Sequence, residues 1–303
     1  GLRTECHLGL HPAAARMTRR AHGDARQFFG RGKDMHMGIS IYYAESMETI
    51  ADNLRDIQPH FFATVPRLLE KVYDKIVKKG YELTGIKKQL FFWALRLGQR
   101  FDLERDQGWW YNTQMKLASK LIFSKWREAL GGNIELVVSG GAALQPRLAT
   151  IFWAAGIRVL EAYGLTETSP GVSFSREDCI KIGTVGPMLD KVQVQIAEDG
   201  EILVKGPNVM MGYYKNEEAT KAVLTGDGWF HTGDIGEIVD NTFLKITDRK
   251  KEMFKTSGGK YIAPQLLENS LKESMLIEQV MVIGENKRFP AALIVPSFES
   301  LHD

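Results

Sequence analysis

The chain has 303 residues, 44% of them apolar and 25% charged, with a formal net charge of +2. These are values of an ordinary globular protein of about two domains, and the interspersed acids and bases give no basis for nucleic-acid binding. Cys6 and Cys179 alone make neither a disulfide framework nor a cysteine zinc site, and no apolar run reaches bilayer or signal-peptide length, so a reduced, cytoplasmic chain is expected.

Residues 1–37 differ from the rest. They hold four of the seven histidines and six arginines, with Lys33 as the one lysine and no valine, isoleucine, tyrosine or tryptophan. Such a stretch buries little and reads as poorly ordered, an artificial or frame-shifted segment; a natural arginine-rich tail stays open. His7 and His11 have helical spacing but no third ligand beside them.

From Gly38 the texture becomes globular. A strand is expected over 39–43, a helix near 47–54 and a strand over 61–65 that ends at Pro66. Proline there suits the first turn of a helix over 67–79. Two amphipathic helices follow, one with Ile86, Leu90, Ala94, Leu97 and Phe101 on its apolar face, the other with Met115, Ala118, Ile122 and Ala129. The aromatics Phe91, Phe92, Trp93, Trp109, Trp110 and Trp126 read as core. Next, "IELVVSGGAAL" and "GIRVLEAYGLTE" are continuous apolar runs, each closing on a glycine turn, with a helix between them. That pattern indicates a buried parallel sheet, whose ligands bind beyond the carboxyl ends of the strands. Beyond Pro187 the period drops to two, with a hairpin turning at Asp199-Gly200 and further antiparallel strands around 236–246. A highly charged stretch from Asp248 precedes a helix over 265–275 and strands over 279–283 and 291–295.

The chemistry-bearing residues gather at the glycine turns. In Tyr163-Gly164-Leu165-Thr166-Glu167, Gly164 permits a tight turn, Thr166 offers a hydroxyl to a phosphate oxygen, and Tyr163 a flat face to a purine. Glu167 offers the hard carboxylate that magnesium takes beside phosphate oxygens and water. The segment alone reads equally well as a helix start capped by Thr166. Asp234 alone is a turn residue after glycine, and Arg249 a solvated charge among Asp248, Lys250, Lys251 and Glu252. Lys260 fails as a phosphate-loop lysine, because Phe254 stands where that loop needs glycine and Tyr261 where it needs a hydroxyl.

Four motifs in order, "SGGAAL", "EAYGLTETSP", "GWFHTGD" and "DRKKEMFKTSGGKYIAP", resemble those of the adenylate-forming superfamily of acyl-CoA synthetases over roughly residues 38–303. The aromatic helical segment ahead of "ALGGNIELVVSGGAAL" is similar to that of the long-chain fatty-acid:CoA ligases. The resemblance implies an α/β fold: a large AMP-binding domain over 38–248, with a parallel sheet flanked by helices and an antiparallel β subdomain, then a partial small α+β C-terminal domain over 249–303. It implies that Gly140, Gly141 and Ala142 lie against adenine, Tyr163 stacks on it and Glu161 and Ala162 edge the pocket. It places Thr166 on the α-phosphate, Glu167 on Mg2+, Asp234 on the ribose hydroxyls and Arg249 on ribose or phosphate. Lys251 matches the family's hinge, and Gly258 lets the CoA thiol arm pass close to backbone. The implied substrates are a long-chain fatty acid, ATP and CoA, and apolar substrates fit peripheral membrane contact. The family's Ser/Thr/Gly-rich phosphate loop and its C-terminal lysine have no counterpart in the sequence. A chain cut at both ends is therefore expected, which leaves a catalytically incompetent nucleotide or acyl-adenylate binding module as the alternative.

Overall fold

The computed structural model describes residues 20–22, 40–44, 46, 49–274 and 276–297. Cys6, His7, His11, Lys33 and Gly38 lie outside them. The described residues form two compact units: one runs to Gly164 and takes in Ser173–Asp190, the other comprises Leu165–Val172 and the chain from Lys191 on.

The first unit is built on a six-stranded sheet. Its strands are β1 (Arg20–His22), β2 (Ser40–Tyr42), β3 (Phe61–Thr64), β4 (Leu136–Gly140), β5 (Arg158–Tyr163) and β6 (Ser173–Phe174), in the order β2-β1-β3-β4-β5-β6. The first five are parallel and β6 is antiparallel to β5. β1 falls in the segment to which composition assigned no element. All five residues of β4 are buried, as its continuous apolar run predicts. Leu136, Val138, Leu160 and Ala162 form one face of the core, backed by Phe61, Trp153, Phe174 and Ile180. Each fully buried large apolar side chain contributes roughly 1.5–3 kcal/mol.

Helices α1 (Ile50–Ile57), α2 (Pro66–Glu82), α3 (Gly85–Gln99), α4 (Trp109–Ala118), α5 (Ser124–Ala129) and α6 (Pro146–Ala154) belong to the same unit. α2 starts with Pro66 in its first turn and buries Leu68, Leu69, Tyr73 and Val77 at three- and four-residue steps. α3 crosses α6 closely enough that a Cβ on Gly98 would run into Ile151. Ile86, expected on the apolar face of α3, is 75% exposed in the first turn, and Phe91, Ala94, Leu95 and Leu97 carry the packing.

The second amphipathic stretch departs from its expected face. A π-helical turn, Ser119–Phe123, separates α4 from α5. The wider turn rotates the helix, so after Ala118 the buried positions are Phe123, Trp126 and Leu130, not Ile122 and Ala129. Trp126 then meets Phe123 edge-on at 5.3 Å and Phe152 at 6.4 Å between ring centroids, contacts worth about 0.5–1.5 kcal/mol each beyond burial. Trp109 and Trp110, read as core, are exposed at the start of α4; they precede the turn that brings the aromatic stripe inward.

The second unit holds a four-stranded antiparallel sheet, β10-β9-β8-β7, from β7 (Gln193–Ile196), β8 (Glu201–Lys205), β9 (Phe230–Val239) and β10 (Phe243–Arg249). The hairpin between β7 and β8 turns at Asp199-Gly200 as expected, pairing Ile196 with Ile202. Helix α7 (Glu217–Val223) is capped by Asn216, whose Oδ1 accepts the Ala219 amide at 3.0 Å. A small hairpin, β11 (Phe254–Lys255) with β12 (Tyr261–Ile262), stands in the charged stretch where no strand was expected. Helix α8 (Pro264–Leu271) and the pair β13 (Ile277–Ile283) and β14 (Ala291–Pro296) follow. Val280 and Val282 of β13 are buried, and the Val282 amide donates to Glu268 Oε1 of α8 at 2.8 Å. Among the described residues no helix is long and apolar enough to cross a membrane.

Candidate nucleotide site

In the first unit, β4 and β5 run side by side and end together. Gly140 closes β4 opposite Ala162, one residue before Tyr163 closes β5. Gly140 and Ala162 are buried, Gly141 and Ala142 exposed, and Tyr163 and Gly164 half-buried. The glycine turn and the tyrosine therefore sit at the carboxyl ends of adjacent parallel strands, where α/β sheets bind ligands. Glu161 is buried in the body of β5, beside Ser139 of β4 in register. Its one electrostatic support is a hydrogen bond from the Leu144 amide, and burial pushes its carboxyl up to about 8. Near neutral pH this group is a neutral acid.

In the second unit, Thr166–Thr168 is a single 3-10 turn. Thr166 does not cap it. Thr168, fully buried, accepts the Leu165 amide at 2.9 Å and donates to the Leu165 carbonyl at 3.0 Å. The cap reading of Thr166 is thus overturned, and Thr166 is exposed. Glu167 is half-buried; its Oε1 accepts the Tyr213 hydroxyl at 2.9 Å and its backbone carbonyl the Met210 amide at 2.7 Å. Burial first, then the bond to Glu167, raises the Tyr213 phenol. Tyr213 is in turn fixed through its amide, which donates to Thr220 Oγ1 at 2.9 Å.

Among the described residues no three His, Cys, Asp or Glu side chains cluster as a metal cage. A single carboxylate, with one oxygen held by Tyr213 and the other without a protein partner among the described residues, fits a cation that brings phosphate and water ligands.

Asp234 lies in β9, 6% exposed, directly opposite Arg249 of β10, with Arg249 Nε 3.4 Å from Asp234 Oδ1. Its amide donates to Thr232 Oγ1 at 3.1 Å. Lys251 and Gly258 are exposed, Gly258 in the turn between β11 and β12. Their side-chain positions make no hydrogen bond or ion pair with the other candidates among the described residues. The structure thus joins Gly140 with Ala162 and Tyr163 in one unit, and Asp234 with Arg249 in the other.

Several groups escaped sequence reasoning. Tyr213 lies in "MGYYKNEEAT", which carried no motif. Glu201, His231 and Lys250 form one cluster: Glu201 Oε2 is 3.0 Å from His231 Nδ1 and 2.8 Å from Lys250 Nζ, which also meets Asp199 Oδ2 at 2.7 Å. Burial alone would raise the Glu201 carboxyl, but bonds from His231, Lys250 and the Gly233 amide outweigh it and hold it below the usual range. The partners Asp199 and Glu201 raise Lys250. Asp248, 1% exposed, is raised chiefly by burial.

Comparison with known proteins gives this geometry a context. Residues 35–214 match the family model described as AMP-binding enzyme, and residues 252–303 that of the AMP-binding enzyme C-terminal domain. The long-chain-fatty-acid–CoA ligase FadD15 of Mycobacterium bovis is 38% identical over 262 residues, 86% of this chain and 43% of that protein. Long-chain-fatty-acid–CoA ligase 5 of Rattus norvegicus is 38% identical over 273 residues, 86% of this chain and 39% of that one. The chain therefore spans about two fifths of these relatives' length. Among solved structures, the anthranilate CoA ligase AuaEII in complex with anthranoyl-AMP superposes with a TM-score of 0.66 at 17% identity, over 94% of this chain and 50% of that one. The o-succinylbenzoate coenzyme A synthetase of Bacillus subtilis, in complex with ATP and magnesium ion, gives 0.64 at 20% identity, over 94% and 54%. At such identities the likeness shows the fold, an adenylate-forming enzyme fold with a partial C-terminal domain.

Proposed function

The chain belongs to the AMP-binding enzyme family, and on that premise we propose that it is part of an AMP-forming long-chain fatty-acid:CoA ligase. In the proposed reaction a fatty carboxylate oxygen attacks the α-phosphorus of ATP and expels pyrophosphate, giving an acyl-adenylate. The CoA thiolate then attacks the acyl carbonyl carbon, forming the thioester and expelling AMP.

The observation that carries the nucleotide half is Asp234, a buried carboxylate fixed on a strand opposite Arg249. An acceptor-only group held in this way suits a vicinal diol, which offers two hydroxyl donors. The fatty acid half rests on the names of the relatives. In this reading Gly140, Gly141, Ala142, Glu161, Ala162, Tyr163 and Gly164 serve the adenine, with the protonated Glu161 lending no charge. Thr166, free of capping duty, offers its hydroxyl to the α-phosphate. Glu167 would hold Mg2+, which when bound offsets the charge of the phosphate oxygens facing an incoming carboxylate. Arg249 adds a cation, Lys251 serves as the hinge and Gly258 leaves room for the CoA arm.

Calorimetric titration with AMP tests the reading. Binding is expected, with loss of about tenfold or more in affinity on Asp234→Ala, the worth of a hydrogen bond to a charged group. A folded chain that ignores AMP refutes the nucleotide assignment; one that binds AMP but forms no acyl-CoA from palmitate, ATP and CoA performs the binding half alone.

A further inference from the structure

We propose that Glu201 is a positioning residue for Asp234, fixing its carboxylate for the ribose hydroxyls of the nucleotide. The inference rests on the nucleotide reading of Asp234 and goes beyond it by naming what holds that side chain in place.

Glu201 opens β8 and is 3% exposed. A buried carboxylate is costly unless it is fully paired. Here the pairing converges on the chain around Asp234. Glu201 Oε1 accepts the amide of Gly233, the residue before Asp234, at 2.9 Å. Gly233 has φ +73°, a left-handed conformation open to glycine, which lets its amide face Glu201 without a Cβ penalty. Glu201 Oε2 accepts from Lys250 Nζ, and the Lys250 amide in turn donates to the Gly233 carbonyl at 2.9 Å. Both backbone polar groups of Gly233, in the two peptide units that flank it, are thereby tied, directly or through Lys250, to one carboxylate. Lys250 also follows Arg249, the partner of Asp234 across the β9–β10 ladder.

The remaining contacts continue the same clamp. The Asp234 amide donates to Thr232 Oγ1, and the Thr232 hydroxyl donates to the Ile202 carbonyl next to Glu201 at 2.7 Å. The β8–β9 ladder shifts register between Glu201 and Leu203, and the β9–β10 ladder between Ile246 and Asp248. Regular ladder bonds are thus interrupted on the β8 side of Asp234, where Glu201 supplies a side-chain replacement, while on the β10 side Asp234 stays in register with Arg249. Without its charge, Gly233 would retain an acceptor, Lys250 would keep Asp199 alone, and the stretch of β9 that carries Asp234 would be held less firmly.

A purely structural tie between strands would predict a general loss of nucleotide affinity. A positioning role predicts loss confined to the ribose hydroxyls. The test measures Kd by calorimetry for AMP and for 2′,3′-dideoxy-AMP, on the full chain and on Glu201→Gln, Asp234→Asn and the double variant. The expected result is a roughly tenfold weakening for AMP in Glu201→Gln, with dideoxy-AMP unchanged within about twofold. In the Asp234→Asn background Glu201→Gln is expected to add nothing, the mark of two residues acting through one contact. Equal weakening of both nucleotides, no weakening of either, or full additivity in the double variant overturns the inference alone. A wild-type chain that binds AMP but makes no distinction against dideoxy-AMP overturns it together with the role of Asp234. Should Glu201→Gln melt before the assay, Lys250→Met takes its place, removing one Glu201 partner from the surface side. The same selective loss, about threefold, supports the clamp, and its absence refutes it.

Discussion

The buried acid in β5 gives the sharpest test of how the first unit is held together. Glu161 is 8% exposed, and the Leu144 amide is its one favourable contact; Ser139, its register partner, has a buried hydroxyl without a hydrogen-bond partner among the described residues. Burial pushes the carboxyl from its ordinary 4.5 up to about 8. Below pH 4.5 the folded and unfolded chains are both protonated there, and the site contributes no pH dependence. Between the two values the unfolded chain releases a proton that the folded chain keeps, so stability falls as pH rises. Each pH unit in that window costs about 1.4 kcal/mol, which accumulates to about 3 kcal/mol at pH 7 and about 4 kcal/mol at pH 8, where the folded carboxyl begins to ionise as well. Glu161→Gln keeps the size and the acceptor for Leu144 but cannot ionise. It is expected to match the wild type at pH 4.5 and to exceed it by about 3 kcal/mol at pH 7, moving the urea midpoint up by on the order of 1 M. Urea unfolding followed by circular dichroism, in steps from pH 4.5 to 9, measures the difference. Two stability curves that run parallel across this range would refute the burial argument.

Two further predictions concern the turn after β5. Tyr213→Phe removes only the hydroxyl that holds Glu167 Oε1, so the Mg2+ concentration needed for half-maximal ATP binding is expected to rise about tenfold, as for other lost outer-shell partners; an unchanged midpoint in a Mg2+ titration tells against the contact. Thr168→Val deletes a buried hydroxyl that makes two bonds to Leu165. It is expected to cost about 1–3 kcal/mol, seen as a lower melting temperature, and an unshifted melt would sink the account of the turn.

Much of the fold was legible because its signals are local. The unbroken apolar runs of β4 and β5 announced strands buried on both faces, Asp199-Gly200 a hairpin, and Pro66 a helix start. The glycine turns after β4 and β5 could be located by the same means, since a parallel sheet offers its ligand end at its carboxyl edge. Other features depended on what the chain brings opposite. The π-helical turn moved the buried face from Ile122 to Phe123, a one-residue change that periodicity cannot register. Trp109 and Trp110 were expected inside and stand outside, because aromatic content carries no direction.

The candidate site divides along the same line. Sequence alone determined which residues carry the family's motifs, from Gly140 to Gly258, because those motifs are contiguous and each is a few residues long. Tertiary structure decided that Glu161 is a neutral acid, that Tyr213 holds Glu167, and that Glu201, His231 and Lys250 converge beside Asp234. In sequence each of these is a single polar residue far from its partner and reads as solvated. Burial and pairing are properties of three-dimensional neighbours, so only folding turns isolated side chains into a charged cluster with one job.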